Sequence, residues 1–157
     1  LLGLIFSVLG KPDLRKIRQT IRECFLDGLS EALDPARVAW ENRAFTPPTD
    51  DYWIQETLQI ILENPAALEL WQILGKTNFA VFYPVGKGTE KIEELTQKIS
   101  EAFEKYYSLN TQGIAVGIER IERSVNTQFD DHWWMGVVSI FWRAYAPAAF
   151  PFVAKVS

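Results

Sequence analysis

Apolar residues recur at steps of three and four from Leu14: Ile17, Ile21, Cys24, Phe25 and Leu29 follow. That spacing sets them on one face of a helix. Pro12-Asp13 is a start signal, and Asp34-Pro35 a stop. The clearest helical pattern lies in GKGTEKIEELTQKISEAFEKYY, where Ile92, Leu95, Ile99, Ala102, Phe103 and Tyr106 form a stripe. Thr89 is placed to cap it, and Glu90, Glu93 and Glu94 suit the positive end of the helix dipole. Elsewhere the period falls to two. In DYWIQETLQIILE, Tyr52, Ile54, Leu58 and Ile60 share one face, and Gln55, Thr57 and Gln59 share the other, which predicts a half-buried strand. NPAAL reads as a turn, and ELWQILGKTNFAVFYPV as a second long strand, broken or bulged at Gly75, with Trp71, Ile73, Phe79, Val81 and Tyr83 in one parity. The two make a hairpin. GIAVGIERIERSV and HWWMGVVSIFWRAY are two more strands, joined by the polar turn NTQFDD. The last is apolar on both faces. That suits a central strand covered by helices on one side and by a partner subunit or a folded-back N-terminal segment on the other.

Residues 38–40 predict a short strand, and RAFTPPTDD a loop, because Pro47 and Pro48 fit neither a helix interior nor a central strand. The order is helix, short strand, hairpin, helix, hairpin. The second helix joins strand to strand, which predicts a crossover. The expected architecture is an α/β fold: a mixed, mainly antiparallel sheet of about four to five strands with two helices on one face. Residues 13–146 read as a single domain, preceded by an apolar segment over 1–12 and followed by a tail over 147–157. The start, LLGLIFSVLG, is too short to span a bilayer. It reads as an arm packed on a partner, an extra core element or an extraneous remnant.

Composition narrows the chemistry. The chain has 157 residues, 48% of them apolar and 13% aromatic, with a net charge of -4. It is too apolar for a disordered chain and shows no general nucleic-acid signature. KPDLRKIRQTIR is the one basic stretch, and on a helix its cations are expected to spread over a solvated face. A single cysteine, Cys24, leaves no intramolecular disulfide and no multi-cysteine metal site. The single histidine, His132, stands beside Asp130 and Asp131, but neighbours on a strand point to opposite faces and do not converge on one ion. No metal and no cofactor are expected.

The 86–89 loop, GKGT between a strand and a helix, has the layout of a phosphate cradle. It departs from a P-loop, since Gly88 follows Lys87 and position 81 is valine. A small phosphate- or nucleotide-binding enzyme using this loop is the rival reading; tight turning from strand to helix is the plainer one. The paired carboxylates Asp50-Asp51, Glu93-Glu94 and Asp130-Asp131 sit in polar turns or on a wet helix face, where solvated groups are the rule. Six tryptophans are many for this length. Trp134 and Trp142 share a parity and Trp133 opposes them. Aromatics in excess of a core favour interfaces, while a two-layer fold that buries them all is the alternative.

Four stretches, VAWENRAFTPPTDDYWIQETL, FAVFYPVGKGTEKIEELTQKISEAF, VGIERIERSV and WMGVVSIFWRAY, together resemble the tail terminator-like proteins of tailed bacteriophages, the family related to minor tail protein U. The resemblance rests on Trp40, Glu41, Asn42, Phe45, Pro47 and Pro48, then Pro84, Gly86, Gly88 and Thr89, then Trp142, Arg143 and Ala144, and covers residues 13–145. The apolar start and the ENPAALELWQILGK hairpin depart from the pattern. The resemblance implies a structural virion protein, not an enzyme. It implies a hexameric ring at the head-proximal end of the tail tube that ends polymerisation and receives the head. Its expected partners are further copies of itself, the tail tube protein and a head-completion or connector protein. Genome DNA passes through without sequence-specific binding, and no membrane is involved. A neighbouring neck or tail-completion protein is the alternative within that class. Trp40, Phe45, Pro47, Pro48, Trp71 and Trp133 are the candidate subunit or partner contacts.

Overall fold

The computed structural model describes residues 12–67, 70–124 and 126–147. Of the apolar segment expected over 1–12 and the tail expected over 147–157, residues 1–11 and 148–157 lie outside the described residues. Helix α1 runs Leu14–Gly28 and α2 runs Glu90–Glu104, with a short 3-10 turn at Pro35–Arg37. The strands are β1 Val38–Ala39, β2 Trp53–Ala67, β3 Leu70–Pro84, β4 Ser108–Leu109, β5 Val116–Arg123, β6 Thr127–Gln128 and β7 Trp133–Pro147. They form one seven-stranded sheet in the order β1-β2-β3-β7-β5-β4, with β6 also on β7.

The two-layer α/β architecture follows the hydrophobic pattern, but the strand count exceeds the expected four to five. β1 is the short strand expected over residues 38–40, and the additions are β4 and β6, each of two residues. Two residues carry no period, so pattern alone cannot reveal them. β1 is parallel to β2, and the remaining pairs are antiparallel. The β3–α2–β5 connection is the expected crossover, and β7 fills the place between β3 and β5 as the central strand.

The hairpin is longer than the pattern indicated. NPAAL is not a turn as far as Ala67: Asn64 pairs with Gln72, Pro65 with Trp71 and Ala67 with Leu70. Nor is β3 broken at Gly75. The irregularity is on the facing strand, where Ile60 pairs with Gly75 and Leu62 with Leu74, leaving Ile61 as an extra residue.

Both helices lie on one sheet face. Asp13 caps α1 by accepting from the Arg15 N–H at 3.0 Å. From α1, Ile17, Ile21, Cys24 and Phe25 are buried, and Phe25 stacks on Phe79 of β3 at 4.2 Å between centroids. From α2, Ile92, Leu95, Ile99, Ala102 and Phe103 are buried as the stripe predicts, whereas Tyr106 lies past the helix end and is exposed. Thr89 occupies the α2 cap position without a side-chain cap hydrogen bond. The helices touch closely at Gly28, where a Cβ would stand 2.2 Å from the Ala102 Cβ. Each large side chain buried between these layers contributes about 1.5–3 kcal/mol. No helix among the described residues is long and apolar enough to cross a membrane.

Candidate functional site

The chain between β1 and β2, residues 40–52, is bound to the scaffold by its own side chains. The Trp40 indole meets Phe25 edge-on at 6.1 Å and lies under the Arg22 guanidinium at 4.9 Å. A turn closes with the Arg43 N–H donating to the Trp40 carbonyl at 3.1 Å. Asn42 takes φ 59°, a left-handed conformation that asparagine tolerates better than most residues. The Glu41 carboxylate accepts from the Leu58 N–H at 3.0 Å and pairs with Arg18 at 3.0 Å. It thereby takes the outward-facing donor of β2 just where β1 has ended.

Beneath it lies Glu56, 1% exposed, on the face of β2 that meets α1. Arg22 grips it with Nε to Oε2 at 2.5 Å and Nη2 to Oε1 at 2.6 Å, and Arg18 adds a bond to Oε1 at 3.0 Å. A buried carboxylate held this way is a structural ion cluster. It corrects the expectation that the cations of α1 spread over a solvated face: Arg18 and Arg22 turn inward. The sequence signal was available. Glu56 is a lone charge at a position whose parity is otherwise apolar, and Arg18 and Arg22 stand four apart on one helix face.

The opposite sheet face carries an aromatic run. Phe45 meets Trp53 at 5.5 Å, Trp53 stacks on Phe82 at 4.2 Å and meets Trp133 edge-on at 5.9 Å, and Phe82 meets Phe129 at 5.1 Å. Phe45 and Trp133 are thus brought together through Trp53. Pro47 is exposed and Pro48 half-buried on the same loop. Trp40 is on the helix side instead, and half-buried Trp71 lies at the far end of the hairpin, paired with Pro65 and Ala146.

The groups that suggested chemistry are engaged in local structure. Gly86 and Gly88 have φ of 89° and 86°, as a tight strand-to-helix turn requires. The space beside Gly88 holds the Glu90 carboxylate, 2.5 Å from where a Cβ would be, so the would-be phosphate cradle faces an anion. Lys87 turns away to Asp50, bonding its carboxylate at 2.6 Å and its carbonyl at 3.0 Å; the side-chain bond raises the lysine above its ordinary value. Asp51 pairs with Arg37 at 3.0 Å. The Asp50-Asp51 pair therefore meets two separate cations. Asp130 accepts from the His132 and Trp133 N–H groups, each at 2.8 Å, and no cluster of three or more metal-ligating side chains occurs among the described residues.

Cys24 is buried, and its thiol donates to the Ala102 carbonyl at 3.4 Å. Burial, with a smaller contribution from Asp27, pushes the thiol up to about 12. It borders a cleft of about 540 Å³ at the C-terminal ends of both helices, lined also by Glu23, Asp27 and Lys105. A smaller cleft of about 290 Å³ separates the 41–47 loop from β2.

A family model described as phage tail terminator protein matches residues 17–142. Among solved structures, one chain 18% identical in sequence has a TM-score of 0.61, over 88% of this chain and 98% of its own, a likeness of fold. No curated protein matches.

Proposed function

The chain belongs to the phage tail terminator protein family, and from that premise we propose that it forms a hexameric ring on the head-proximal end of the tail tube. The ring ends tube polymerisation and presents the surface that receives the head. The match spans most of the α/β domain and carries the reading. It is a structural protein of the phage tail and, by this reading, a virion component without a catalytic step, assembled in the host cytoplasm. Its partners are its own copies, the tail tube protein below and a head-completion or connector protein above. DNA passes through the ring, and the chain's net charge of -4 favours passage over tight phosphate binding.

The geometry of the motif residues supports this role. Glu41 and Glu56 bind α1 to β2, and Lys87 binds the α2 entry to the loop at Asp50, so the first two stretches in which the resemblance lies are tied into one frame. Rigid frames with an exposed connecting loop suit repeated docking of identical subunits. Phe45, Pro47 and Pro48 are one proposed contact, presented on that loop. The test is electron microscopy of tails assembled with and without the protein, together with the native mass of the purified chain. The reading predicts a closed ring and, in its absence, tails of uncontrolled length. Tails of normal length that join heads without it would overturn the role.

A further inference from the structure

The sheet ends in two open edges of different character. On β2, the β1 strand and then the Glu41 carboxylate occupy the outward side as far as Leu58. Outward-facing donors recur every second residue, so the next belongs to Ile60. From Ile60 onward, no strand among the described residues covers β2 on that side. There Ile60, Ile61 and Leu62 are 41%, 53% and 43% exposed. Open edges are ordinarily blunted by charge, and an apolar one invites strand addition. At the other end, β4 covers only Val116 and Gly117 of β5, and the Tyr107 carbonyl takes the Ile118 N–H at 2.9 Å. Beyond that point no strand among the described residues covers β5, and Tyr107 stands beside the opening 96% exposed.

These edges fit each other. β2 to β3, β3 to β7 and β7 to β5 are each antiparallel, so β2 and β5 run in opposite directions. Copies set side by side in one orientation therefore bring β5 against β2 as an antiparallel pair. Through the ladder, Ile60, Leu62 and Asn64 stand level with Trp142, Arg143 and Tyr145, while Arg120 and Arg123 stand level with Phe141 and Val138. The open stretches are thus offset by about four residues, a stagger of roughly 13 Å, and sheets that close on themselves need such a stagger. Along β5, Glu119 is paired with Arg143 and Glu122 with Arg120.

We propose that β2, from Ile60 onward, pairs antiparallel with residues 120–123 of β5 in a neighbouring copy of this chain, so that the sheet continues from subunit to subunit. The contact is heterologous, one edge against a different edge, which is what a ring requires. Pairing β2 with β2 would leave β5 open and stop at a dimer. The inference rests on the ring reading for its repetition, while the direction, stagger and exposure of the edges stand without it.

Disulfide trapping tests it, with buried Cys24 as a silent background. Full-length chains carrying Leu62→Cys are mixed with chains carrying Glu122→Cys and oxidised, after circular dichroism shows that both are folded. A cross-linked dimer is expected in the mixture and not in either variant alone, and adding Ile61→Lys to the first chain should reduce it at least tenfold. No cross-link in the mixture would assign the edge to another occupant, such as residues 1–10 or a different protein, and overturn the proposal. Equal cross-linking of either variant alone would show same-edge pairing and overturn it too. A chain carrying both Leu62→Cys and Glu122→Cys separates the two readings: a cross-linked series ending at a closed six-fold product supports both. An open-ended ladder keeps the edge pairing and removes the ring.

Discussion

The indole of Trp142 occupies the space where a side chain at Gly75 would begin. A Cβ at Gly75 would lie 2.4 Å from Cζ2 and 2.7 Å from Cη2 of the ring, and 2.6 Å from the Gln59 carbonyl oxygen. Trp142 is 1% exposed and donates its indole N–H to the Thr77 hydroxyl at 3.2 Å. The glycine is there so that the largest core side chain can cross β3 at close range. Gly75→Ala is therefore expected to destabilise the fold by about 1–3 kcal/mol through overpacking. Urea denaturation should show a lower midpoint with an unchanged slope. An unshifted midpoint would mean that the ring moves aside without cost.

Glu56 offers a second test of the core. Removing one partner of a buried, hydrogen-bonded ion cluster leaves charge without compensation and costs about 3–5 kcal/mol. Glu56→Ala should fall in that range and strand Arg22, whereas Arg18 keeps its pairing with Glu41. Combined with Arg22→Met, the loss should be smaller than the sum of the two single losses. An additive cycle would contradict the direct coupling seen in the structure.

Cys24 should be inert. With its thiol pushed up to about 12 by burial, the reactive thiolate is scarce at pH 8. Labelling by a thiol reagent at pH 8 should be slow in the folded protein and complete within minutes in guanidinium. Fast labelling under native conditions would show that the α1–α2 contact opens readily.

Lys87→Ala tests the phosphate reading of the glycine loop. Because Glu90 fills the space beside Gly88 and Lys87 is held by Asp50, calorimetry with nucleotides should give no binding heat for either the wild type or the variant. A saturable heat lost in the variant would revive a nucleotide site.

The proposed contact at the Pro-Pro loop is tested by Phe45→Ala combined with Pro48→Ala. The double variant should stay folded, since Pro48 and Phe45 are only half-buried, but should form rings at least tenfold less efficiently by native mass measurement. Rings formed as well as by the wild type would make the loop a connector alone.

Periodicity by itself determined much of this protein. The 3.6-residue stripes of α1 and α2, the alternation of β2 and the two-faced apolarity of β7 marked the helices, the long strands and the central position of β7. Each depends on neighbours along the chain, so each is legible there. The tertiary structure decided what depends on contacts between distant residues. The Arg18–Glu56 and Arg22–Glu56 bonds span 38 and 34 residues, so the local pattern could mark Glu56 as out of place in its strand and Arg18 and Arg22 as sharing a helix face, but only the packing of α1 on β2 pairs them. The two-residue strands exist only because longer neighbours offer hydrogen-bonding partners. The bulge at Ile61 was misplaced onto Gly75 because a glycine signals a bulge and a close approach equally, and only the packed position of Trp142 separates them. Likewise, alternation marks β2 as a half-buried strand, but only the strand order shows that no described strand lies against its outer edge from Ile60 onward.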